Sequence, residues 1–280
     1  MYVETITNSF EYGKLLGYFI SDGVLSSKRT NYFANTNLFI VEEVARLLAK
    51  FYRGHHVSVR RIRNQSWVVD GVEKCNPLYH VYCTGGKAGG NPKVIAHQNK
   101  WREDYLELGL DEKQSLSQIM GFGKEFKKGL IQGIYNGDGT ITFGNYQTKD
   151  IQVSISYNFG IGHEMARQFV EILSEFGINA HIAMSKPGHR WKNKYSIVKV
   201  VKYEDVCLMI QLLDDVKYPE KFDKAYTILH EQFIHGFRKD DCLIGRYIRI
   251  FNPKLHQRLE EDGVNSEGII KSICIEETWH

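Results

Sequence analysis

At 280 residues the chain is long enough for two domains of ordinary size, and its 42% apolar and 25% charged residues are those of a soluble globular protein. It contains no apolar run of the roughly 18 residues that a helical membrane span needs, and it opens on Met1-Tyr2-Val3-Glu4-Thr5, neither a signal nor a transit pattern. The net charge of +3 does not by itself announce a nucleic-acid partner. Five cysteines, an odd number with no C-x-x-C pair, read as reduced, buried thiols of a cytoplasmic protein rather than as zinc ligands or disulfides.

The first predicted element is a helix over about residues 10–21. It carries Gly13, Gly17 and Ser21 four residues apart, on one face, and ends at Asp22-Gly23. Residues 24–36 read as a short hairpin turning at Arg29-Thr30-Asn31. Leu38–Tyr52 is an amphipathic helix with Val41, Val44, Leu47, Leu48 and Phe51 at helical spacing. Val57–Arg63 and Leu78–Thr84 read as strands around a polar loop that includes Asn64, Gln65, Asp70 and Gly71. A short helix is expected over 92–98, and residues 101–123 read as a connection.

The same order then returns. A helix over 125–137 carries Gly129, Gly133 and Gly137 and ends at Asp138-Gly139. Strands over 140–143 and 151–157 form a hairpin at Gly144-Asn145. A helix over 162–176 follows, then strands over 179–184 and 195–201 around the basic loop Lys186-Pro187-Gly188-His189-Arg190, then a helix over 203–213. A further helix is expected over 222–230, in an extension to residue 280 that reads as a helical cap. The expected organisation is therefore two αββαββα repeats, 1–100 and 124–216, with a linker at 101–123 and the extension at 217–280.

The repeat is sharpest in its helices. Each reads Gly-x-x-x-Gly-x-x-x-small-Asp-Gly, and the two aspartates are 116 positions apart. Glycine inside a helix costs about 1 kcal/mol relative to alanine, so a stripe of small residues calls for close packing of two backbones. Packed along those faces, the helices bring Asp22 and Asp138 to one end, and two carboxylates brought together are a place for a divalent metal.

Charge is distributed to match. Residues 52–102 hold nine Lys/Arg against two acids, and residues 181–203 hold six against none. Both clusters fall at the same place in the repeat, as a shared polyanion-binding surface requires. In the second copy Ile151, Val153 and Ile155 alternate with Gln152, Ser154 and Ser156, which leaves a polar sheet face that suits plain solvent or, as the paired aspartates favour, base edges in a major groove. The candidate DNA-contacting residues are Lys28, Arg29, Arg60, Arg61 and Arg63 in the first copy. In the second they are Gln152, Ser154 and Ser156, with Lys186, Arg190, Lys192, Lys194 and Lys199 on the basic strands and loop.

Leu15–Gly23 and Ile131–Gly139 resemble the two motif copies of the LAGLIDADG homing endonucleases. The small residues and the final Asp-Gly are kept in both, while the motif's first acidic position holds Ile20 in one and Asn136 in the other. The resemblance covers about residues 10–215. It implies an α+β fold of two pseudo-symmetric αββαββα repeats, whose antiparallel sheets form a DNA-binding saddle around the two packed motif helices. It further implies a monomeric site-specific endonuclease that hydrolyses both strands of a long double-stranded DNA site. Mg²⁺ would be the cofactor, with Mn²⁺ or Ca²⁺ able to substitute in binding, on Asp22, Asp138 and the carbonyls of Ser21 and Gly137. Polar groups near the end of the second strand fall, by element order, at Asn35 and Tyr157. Basic groups near the end of the fourth fall at Lys87 and Lys202. Tyr157 departs from the amide expected there. The expected location is the cytoplasm, on the nucleoid, with no membrane partner. Two other functions share this scaffold: an intron RNA maturase, and a catalytically inactive DNA-binding regulator. An intein is not expected, since the chain starts with Met1 rather than Cys or Ser and ends in Trp279-His280.

Overall fold

The computed structural model describes residues 6–25, 31–69, 72–85, 100–110, 113, 115–143, 153–160, 162–184 and 195–213. The elements run α1 (Phe10–Asp22), β1 (Gly23–Leu25), β2 (Asn31–Asn35), α2 (Leu38–Phe51), β3 (His55–Val69), β4 (Val72–Gly85), α3 (Lys100–Glu107), α4 (Lys124–Asp138), β5 (Gly139–Phe143), β6 (Val153–Asn158), α5 (His163–Ser174), β7 (His181–Met184), β8 (Ser196–Val200) and α6 (Tyr203–Leu212). Two four-stranded antiparallel sheets result, ordered β1-β2-β4-β3 and β5-β6-β8-β7. The fold is α+β, with the helix-strand-strand-helix-strand-strand order occurring twice. The expected helices over 92–98 and 222–230, the hairpin tips and the basic loop at 186–190 lie outside the described residues.

The chain divides into two compact units. The larger holds residues 1–139, 157–176 and 180–199. Within it α1 starts where the Ser9 hydroxyl accepts the Tyr12 N–H, and it ends where the Gly23 N–H returns to the Phe19 carbonyl. Its neighbour α4 ends in the same way, with the Gly139 N–H on Tyr135. The glycine stripes meet: a Cβ on Gly17 would stand 2.9 Å from the Gly133 Cα, and one on Gly133 would stand 2.9 Å from the Gly17 Cα. Gly13 and Gly129 likewise face backbone carbonyls, of Phe126 and Phe10. Helix α2 is capped by Asn37, whose side chain accepts from Phe39 N and Ile40 N, and it buries Ile40, Val41, Val44, Leu47 and Leu48.

The first sheet buries Phe33, Val81 and Cys83 on one side. Burial there pushes the Cys83 thiol up to about 12. The expected polar loop after Arg63 is instead strand. The β3–β4 ladder continues through Asn64↔Pro77 and Gln65↔Asn76 to Val69↔Val72. Trp67, Val68 and Val69 favour extended backbone, which extends the ladder beyond Arg63. A register shift between Arg61 and Arg63 leaves Ile62 without a partner in the ladder, a bulge. The stretch expected as a plain connection contains α3, whose Trp101 and Tyr105 pack on Phe19. Helix α5 is held to this stretch by Gln168, which accepts from Leu116 N at 2.5 Å and donates to Ser117 Oγ at 2.9 Å.

The smaller unit comprises 140–156, 177–179 and 200–280, described here only in part. Its buried residues include Ile141, Ile155, Val206 and Met209. The Asp205 carboxylate on α6 accepts both the backbone N–H and the side-chain amide of Asn179, at 2.9 and 3.0 Å.

Candidate functional site

The two motif helices end together. A Cβ on Gly137 would stand 3.1 Å from Asp22 Oδ2 and would overlap the Ser21 side chain, so Asp22 and Ser21 of α1 lie against the last turn of α4. The Ser21 hydroxyl turns back to donate to Tyr18 O at 3.0 Å. Asn35, at the end of β2, donates its amide to Asp22 Oδ2 at 2.8 Å and accepts from Asn37 N at 2.7 Å. That ties the carboxylate to the cap of α2.

The second copy differs. Tyr157 is fully buried, edge-on to Tyr135 and Phe169, and burial holds its hydroxyl protonated well above the ordinary range. Its neighbour Asn158 lines a cavity of about 380 Å³ together with Asp138, Ser21 and Tyr195. Strand alternation explains the offset: Ile155 and Tyr157 point inward, so Asn158, the last residue of β6, points the other way.

Lys113 is the residue that the sequence did not single out. It lies in the stretch before α4, with its side-chain ammonium donating to the Ser21 carbonyl at 3.2 Å. It lines the same cavity. Burial pulls its pKa below the usual lysine range, against the opposing pull of Asp138 and then Asp22. In the sequence it follows Asp111-Glu112, which reads as a solvated loop; only tertiary structure brings it to the motif ends.

The donors here are hard oxygens: two carboxylates and the carbonyls at the helix ends. Among the described residues no group of three or more His, Cys, Asp or Glu is gathered. An ion on two carboxylates that completes its shell with carbonyls and water is what Mg²⁺ prefers. The site already accommodates one cation, the Lys113 ammonium, so the residues fit a divalent ion.

Lys202 is exposed, at the N-cap of α6 in the smaller unit. Lys87, Lys28, Arg29, Gln152, Lys186, Arg190, Lys192 and Lys194 lie outside the described residues, and Arg63 lies in β3. Arg60 stands on the open side of the first sheet, and Arg61, one position on, faces the other way. On that open side Tyr32 stacks on His80 at 4.1 Å and 13°, His80 Nδ1 is 3.1 Å from the Tyr82 hydroxyl, and the Arg60 guanidinium lies 5.3 Å from the Tyr82 ring centre. This aromatic and basic row was missed; the alternation of Tyr82 and His80 with Val81 was the available signal. In β6 Ser154 and Ser156 are half-buried on the side opposite Ile155, and in β8 Lys199 alternates with buried Val198 and Val200. Among the described residues no helix is long and apolar enough to cross a membrane.

The family model of the LAGLIDADG-like domain matches residues 125–214. That stretch, about a third of the chain, is similar to a LAGLIDADG-like domain. The first copy repeats the same order of elements around Asp22. No curated protein matches the sequence. Among solved structures the chain is similar to the homing endonuclease I-WcaI bound to its DNA recognition sequence, at 15% identity over 77% of this chain and 85% of that one, with a TM-score of 0.48. It is also similar to I-DmoI in complex with DNA and Ca, at 14% identity over 81% and 99% with a TM-score of 0.42. A third likeness is to the LAGLIDADG meganuclease I-AabMI bound to uncleaved DNA, at 12% over 79% and 90% with a TM-score of 0.41.

Proposed function

We propose that the protein is a site-specific double-strand DNA endonuclease acting as a monomer, with Asp22 and Asp138 holding a divalent cation such as Mg²⁺. One observation carries this reading: two Asp-Gly helix ends, from two copies of one motif, meet where the backbones touch. A bound divalent cation supplies a water of lowered pKa and neutralises charge on the leaving oxygen. The chain's own residues fix the carboxylates. The glycine seam sets their separation, Asn35 orients Asp22, and Asn158 and Tyr195 offer polar atoms beside Asp138. The sheets supply the DNA contacts, with Arg60 and Lys199 on phosphates and the Tyr32–His80–Tyr82 row and Ser154 and Ser156 towards base edges. Both motif copies lie in one chain, which supports a monomer.

The test starts from a duplex site selected from a randomised library by binding. Asp22→Asn and Asp138→Asn should each retain binding and lose double-strand cleavage in Mg²⁺. Full cutting by either variant would overturn the assignment. Selection of RNA rather than duplex DNA would favour the maturase function.

A further inference from the structure

Each motif helix ends in an aspartate, and neither carries a basic residue in its last turn. A helix C-terminus presents unpaired carbonyls and partial negative charge, so it disfavours a carboxylate and favours a cation. Two such ends side by side therefore concentrate negative charge that neither helix answers. The answering cation comes from elsewhere in the chain.

We propose that Lys113 is a tethered counter-ion of the Asp22/Asp138 pair, which holds the Ser21 carbonyl in the metal-free protein and is displaced when a divalent cation binds. The inference rests on the metal reading above and adds a competition to it. The contact is direct: the ammonium donates to the Ser21 carbonyl at 3.2 Å, the carbonyl immediately before Asp22. The lysine is also held in place rather than waving in solvent. Its backbone is in the left-handed region at φ 51°, where a non-glycine residue is uncommon, and its N–H bonds to the Leu110 carbonyl. Two residues on, Ser115 donates to Gln168 at 3.2 Å, and Leu116 N does so at 2.5 Å, which pins the strap to α5. Ser21, Lys113 and Asp138 line one cavity. A displaced side chain has somewhere to go, since Lys113 itself lines the cavity of about 380 Å³ beside Asp138.

The consequence is that the metal must win its place against an internal charge. A neutral side chain at 113 should leave the carboxylates less well compensated without metal and more available to it. The test uses the full chain without DNA, stripped with EDTA, and reads melting temperature and Mn²⁺ binding by electron paramagnetic resonance. Lys113→Met is expected to lower the metal-free melting temperature and to tighten Mn²⁺ binding about tenfold. Lys113→Arg should stay near wild type in both. In an Asp138→Asn background, Lys113→Met should cost little further melting. If Lys113→Met does not fold, Lys113→Gln serves in its place. Mn²⁺ binding that needs the aspartates but is unchanged by neutralising Lys113 overturns this inference and leaves the metal reading standing. Mn²⁺ binding indifferent to Asp22→Asn and Asp138→Asn, or no Mn²⁺ binding by any variant, overturns both.

Discussion

Single side chains decide how the two copies differ. Asn136 stands where the motif's first acidic residue would be, and it is fully buried. Its amide donates to the Tyr18 hydroxyl at 3.2 Å, and Tyr18 gives its own proton to Glu43 at 2.5 Å, where Lys14 also donates at 3.0 Å. A carboxylate can only accept, and the Tyr18 proton is already spent, so Asn136→Asp would bury a charge against an oxygen. Burying a carboxylate against that oxygen costs upwards of about 1–3 kcal/mol. Burial would raise the new carboxyl's pKa in the folded state above its unfolded value. The penalty is then absent below the unfolded pKa and grows as pH rises through neutrality. Asn136→Asp should melt close to wild type near the acid limit of the fold and progressively lower towards pH 7, as scanning calorimetry across pH would read. An equal loss at all pH values would rule out this cause. The paired aspartates were legible in the sequence because they repeat in register. Element order placed Asn35 at the end of β2, where its amide meets Asp22. Asn158 was missed by one position, and Lys113 altogether, because its partner lies 92 residues away and no local pattern encodes that contact.

At the scale of elements, the seam between α1 and α4 controls the site. A Cβ on Gly17 would run into the Leu130 carbonyl oxygen, with Ile134 N at 2.8 Å and Gly133 Cα at 2.9 Å. These are backbone atoms and cannot rotate aside, so even alanine must push the helices apart. Gly121 is the control: a Cβ there meets nothing within 4 Å. Gly17→Ala should destabilise by about 1–3 kcal/mol or more, read as a fall in melting temperature, and should impair cleavage more than DNA binding because it spreads the aspartates. Gly121→Ala should leave both unchanged. Equal melting of the two variants would mean that the helices do not pack through this face. The seam was readable from glycine spacing because the cost of glycine inside a helix demands a reason. The length of the β3–β4 hairpin was not. Asn64 and Gln65 are loop formers locally, and pairing with the returning strand overrode that preference.

For the whole molecule, the repeated order of elements makes a claim about how a target is divided. Each copy supplies one sheet, and each sheet has a cation on its open side: Arg60 beside Tyr82 in the first, Lys199 in β8 of the second. A lysine or arginine on a phosphate contributes through counter-ion release, so its loss should weaken binding to all sequences alike and reduce the salt slope by about 1. Arg60→Ala and Lys199→Ala should each behave so. Tyr82→Ala should behave differently. It removes the ring beside Arg60 and a member of the Tyr32–His80–Tyr82 row, and it should relax preference at one region of the target while leaving the salt slope near that of wild type. Footprints divide the possibilities further. If each copy covers its own half-site, Arg60→Ala loses protection on one half of the selected duplex and Lys199→Ala on the other. Loss confined to the same half for both variants would mean that one sheet reads the DNA and the other copy serves to hold Asp138 in place.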